Sequence, residues 1–96
     1  KLRAALDADR SRLQELGYAA QICFVDPGRK PLDTVRAALA DKRIGAVLIG
    51  AGVRGDPAQF VLFEALVNLV HTDAPQARIC FNTGPTDSVA AVQRWL

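Results

Sequence analysis

Apolar positions along this 96-residue chain switch repeatedly between a helical period and short unbroken runs. In residues 2–16, Leu2, Ala5, Leu6, Leu13 and Leu16 keep a loose helical spacing, and Gly17 supplies a left-handed stop. The run "AAQICFVD" (19–26) has few polar interruptions, the pattern of a strand covered on both faces. Asp26-Pro27-Gly28 then turns the chain. Leu32, Val35 and Leu39 recur at helical intervals behind Pro31, whose missing N–H costs nothing in a first turn, and this helix is predicted to reach about Arg43. A second strand follows in "IGAVLIG" (44–50). Asp56, Pro57 and Gln59 together read as a capping box, predicting a helix over 57–72. The third strand is "ARICFN" (77–82). Thr86 or Asp87 caps a last helix with Val89, Val92 and Leu96 on one side.

Strands alternating with helices over short loops imply right-handed crossovers, hence an α/β fold with a three-layer, doubly wound parallel sheet. A chain of this length makes one domain, 1–96, and buries only ~60–65% of its unfolded surface. In such a sheet the loops after the strands share one rim, where ligands bind. Three loops fall there: 26–30, 51–56 and 83–88.

Composition narrows the function classes. Half the residues are hydrophobic and 23% are charged, which describes a globular chain and not a disordered one. A net charge of +2 with 6% aromatics gives no basic stripe or stacking platform, so no nucleic-acid partner is expected. The most apolar window, 60–70, is broken by Glu64 and Asn68 and is too short to span a membrane. Cys23 and Cys80 each sit in an "ICF" triplet, where a buried free thiol is the expectation, and such isolated cysteines suit a reducing cytoplasm. The chain has no methionine, so it is expected to start downstream of its own initiator, with a strand lost ahead of Lys1.

Gly50, Gly52 and Gly55 follow the second strand at the dinucleotide-binding spacing G-x-G-x-x-G. In a dinucleotide fold the helix begins inside that motif and aims its first amides at the pyrophosphate. The cap signals here put the helix start at Asp56, after the third glycine, and the next strand ends in Asn82-Thr83 without a ribose-holding acid. The glycines therefore read as a connection with unusual backbone angles, and no cofactor is expected. A small anion could still meet Arg29, Lys30, Gly52, Arg54, Gly55, Asn82 and Thr83 on the rim, although Asp26 and Asp56 offset that field. Glu64, Asn68 and His71 share one helical face, but one histidine with one carboxylate is no metal set and reads as a solvated stripe. The helix over 57–72 is apolar around most of its circumference, more than one sheet face needs. A homodimer through Leu62, Phe63, Leu66, Leu69 and Val70 is the expectation.

From Leu13 to about Thr83 the chain resembles bacterial response-regulator receiver domains and, more broadly, flavodoxin-like folds. The residues that bear the likeness are "LGY" before a strand, the strand "AVLIG" and the later "ICFNT". It is also similar to a group of short uncharacterised bacterial proteins that share the "IGAGVR" and "ICFNT" segments. The resemblance implies a flavodoxin-like sheet missing an upstream strand that would lie between the first two strands seen. It also implies a lost activity: Gly50 stands where receivers place the phosphoacceptor aspartate, and Thr83 alone matches. The function expected is a non-catalytic receiver-like interaction domain, and the alternative is an anion- or nucleotide-like-ligand domain or an enzyme fragment using the rim.

Overall fold

The computed structural model describes residues 2–23, 30–84 and 86–96. Helix α1 (Leu2–Glu15) ends where the sequence predicts. Gly17 takes a φ of +97°, and the amides of Gly17 and Tyr18 return to the carbonyls of Gln14 and Leu13, both at 3.0 Å, closing a Schellman motif. Helix α2 (Pro31–Leu39) starts at its proline but stops before Arg43. The reason is local competition: the Asp41 carboxylate accepts from the Arg43 amide at 3.0 Å and from its guanidinium at 3.0 and 2.9 Å, drawing that backbone out of the helix.

Strands β1 (Ala46–Ile49) and β2 (Arg78–Phe81) pair in parallel, with Ala46 opposite Arg78 and Ile49 opposite Phe81. The chain is thus mixed α/β, with two parallel strands in one sheet among the described residues. Residues 19–23, the described part of the strand expected at 19–26, join no sheet, and the Ala20 carbonyl accepts from the Gln14 side chain at 3.1 Å. Residues 24–29 lie outside the described residues.

The helix expected over 57–72 resolves into two pieces, a single 3-10 turn (Pro57–Gln59) and α4 (Phe60–Asp73), and a short helix that the sequence did not predict, α3 (Ala51–Arg54), precedes them. The reciprocal capping box does not form, and Asp56 caps the 3-10 turn instead of a long helix. Asp56 accepts from the Ala58 amide at 2.9 Å and from the Gln59 side chain at 3.2 Å. Helix α3 begins inside the glycine motif, contrary to the late start expected from those caps. The glycines are also conformationally ordinary, with φ of −71° at Gly50 and −88° at Gly55. What Gly55 supplies is room, since a Cβ there would lie 3.0 Å from the Ala51 carbonyl oxygen.

The main core joins Val35 and Leu39 of α2, Ile49 of β1, and Leu66, Leu69 and Val70 of α4 with Ala74. Val47, Ile79 and Phe81 pack against it, so alternate residues of both strands face the α2–α4 side. The rings of Phe63 and Phe81 meet at 5.9 Å and 57°, a tilted contact. By the same alternation Cys80 belongs to the opposite face, and it is fully buried. Helix α5 (Ser88–Gln93) packs on both strands, buries Ala91 and Val92, and in turn receives α1. Leu96, expected on one side of this helix with Val89 and Val92, lies beyond its end at Gln93 and is 56% exposed.

Candidate functional site

The rim at the carboxyl ends of β1 and β2 is organised by one side chain. Asn82 follows β2 and is 2% exposed. Its Oδ1 accepts from the Ala51 amide at 2.8 Å, satisfying a first-turn donor of α3, and its Nδ2 donates to the Ser88 hydroxyl at 3.0 Å at the start of α5. The Asn82 carbonyl accepts from the Arg54 guanidinium. A residue at the end of one strand therefore ties together the helices that follow both strands. Arg94, which follows α5, donates to the Phe81 carbonyl at the end of β2 at 3.0 Å.

The next loop is closed by Asp87. Its carboxylate accepts from the Thr83 amide (3.0 Å), the Thr83 hydroxyl (2.8 Å) and the Gly84 amide (3.1 Å). These bonds, with the Thr83 hydroxyl first, hold the Asp87 carboxyl below the usual aspartate range. The predicted cap of the last helix thus faces backward into its own loop, and the Asp87 side chain makes no cap bond to α5.

Of the rim residues named from the sequence, the structure brings Arg54, Asn82 and Thr83 into this network, with Gly52 and Gly55 in and just after α3. Lys30 lies elsewhere, at the start of α2 with a left-handed φ of 49°, where it lines a groove between α2 and α4. Arg29 lies outside the described residues. Several rim donors are engaged internally: the Ala51 amide by Asn82, the Thr83 and Gly84 amides by Asp87, and one Arg54 guanidinium nitrogen by a carbonyl. The network is a structural tie. The chain matches no family model, no curated protein and no solved structure.

The second surface is the start of α4. Leu66, Leu69 and Val70, expected at a dimer interface, are buried in the chain's own core, and Leu62 and Phe63 are half-buried against it. The apolar side chains of this helix that face out are Phe60, 56% exposed, and Val61, 74% exposed. Beside them runs a groove of about 510 Å³ lined by Lys30, Pro31, Leu32, Val61, Leu62 and Ala65. It continues toward Arg36, Asn68 and Asp73 as a second hollow of about 300 Å³. Glu64, Asn68 and His71 are all exposed, and Asn68 donates to the Glu64 carbonyl at 3.0 Å, as a solvated stripe would.

The cysteines divide. Cys80 is buried, and desolvation raises its thiol pKa, opposed by the charge of Arg94; Cys23 is exposed, where the sequence predicts burial. Sequence reasoning missed the tying role of Asn82. Its signal was a polar side chain closing an apolar strand run, "ICFN", a position that must find partners if it is buried.

Proposed function

We propose that this chain is a non-catalytic, receiver-like α/β interaction domain that self-associates through the start of α4. The observation that carries this reading is the pair Phe60 and Val61, exposed together on a helix whose opposite side is packed into the core. Contiguous aromatic and aliphatic surface beside an apolar groove is the composition of an interface centre. The simplest occupant is a second copy across a two-fold axis, because one patch then covers its own equivalent. On this reading β1 and β2 belong to a three-layer, flavodoxin-like sheet in a bacterial, cytoplasmic homodimer.

Two further points favour an interaction role over chemistry at the rim. Gly50, the residue after β1, offers no carboxylate to accept a phosphoryl group. On the rim the Ala51 and Thr83 amides are already held by Asn82 and Asp87, which leaves fewer donors for a small anion or nucleotide-like ligand. The test is sedimentation equilibrium of the unmutated protein. A mass of twice the chain that dissociates on dilution is expected, and a monomer throughout the millimolar range would refute the reading.

A further inference from the structure

We infer that each copy in this dimer fills its partner's α2–α4 groove with the stripe of α4 that bears Phe60 and Glu64, and that Glu64 there meets Lys30. The inference rests on the self-association reading and names what seats in the groove. Val61 and Ala65 line the groove, while Phe60 and Glu64 form the adjacent stripe, each one residue back and four residues apart on a shared helical face. One surface therefore offers both a cleft and a ridge next to it. A two-fold contact needs that self-complementarity, the ridge of each copy entering the cleft of the other.

Charge fixes the direction of seating. Lys30 stands exposed at the first turn of α2 and is one of the groove's two charged lining residues. The other, Asp33, already accepts from Arg36 at 3.2 Å. On the ridge, Glu64 is exposed and takes part in no salt bridge among the described residues. Phe60 supplies apolar contact with Pro31 and Leu32, and the Glu64–Lys30 pair sets the register, the usual division between an interface centre and its rim.

Charge reversal tests this. Lys30→Glu alone and Glu64→Lys alone should each raise the dimer dissociation constant about 10-fold at low salt, because each places like charges together twice per dimer. The double reversal in one chain should bring the constant back to about that of the unmutated protein, as should an equimolar mixture of the two single variants. Both positions are on the surface, and a cooperative melting transition would show that the variants are folded. Single reversals without effect, or a double reversal no better than the singles, would overturn this seating while leaving self-association standing. A monomeric unmutated protein would overturn both.

Discussion

The loop rim and the start of α4 are near opposites in how their chemistry is spent. At the rim the polar atoms close on one another: Asn82 bonds to Ala51, Ser88 and Arg54, and Asp87 bonds to Thr83 and Gly84. At the start of α4 the surface is apolar, and 56% of Phe60 and 74% of Val61 face water. The location of a rim in an α/β fold invites a ligand there, but the satisfaction of its groups points the other way. The proposed self-association therefore rests on the exposed apolar side chains beside the groove, Phe60 and Val61.

The largest effect is expected at the core that supports the groove. Leu66→Ala removes a side chain only 5% exposed between α2 and the sheet, and a loss of about 2–5 kcal/mol is expected from chemical denaturation. A loss under about 1 kcal/mol would mean that α4 is not anchored as described.

The rim should respond next. Asn82→Ala strips a buried acceptor from the Ala51 amide and a donor from the Ser88 hydroxyl, and about 1–3 kcal/mol of stability should go with it. The substitution should leave self-association unchanged when measured below the melting transition. Equal loss of stability and of dimer would merge two regions held here to be separate.

A smaller effect concerns acid. The Asp87 carboxyl is held below its ordinary value of 3.8, so its bonds to Thr83 and Gly84 are complete above that pH and are lost as pH falls through the lowered value. Amide chemical shifts of Thr83 and Gly84 should titrate with a midpoint under 3.8, and Asp87→Asn should abolish the transition. A midpoint at or above 3.8 would show that the loop is not closed by this carboxylate.

Sequence pattern made some of this legible and hid the rest for physical reasons. The Gly17 stop, the Pro31 start and the two strands are local signals, and all appear in place. The Asp56 cap was equally local, although it caps a 3-10 turn and not the long helix, and α3 ahead of it went unpredicted because its first amide is satisfied by a side chain 31 residues away. The strand expected at 19–26 rested on apolar content alone, which does not specify a pairing partner, and residues 19–23 join none. Helix α4 shows the limit most clearly. A helix apolar around its circumference announces two covered sides without saying which is which, and Leu66, Leu69 and Val70 proved to be the inner one.

The most direct measurement is the sedimentation of a Phe60→Ser, Val61→Ser double variant beside a Trp95→Ser control. Trp95 is 58% exposed, much as Phe60 is, but it lies beyond α5, away from the groove. The α4 variant is expected to be a monomer with a cooperative melting transition that does not depend on concentration, while the Trp95 variant stays dimeric. A dimer that survives the α4 substitutions, or one that the Trp95 substitution separates, would contradict it.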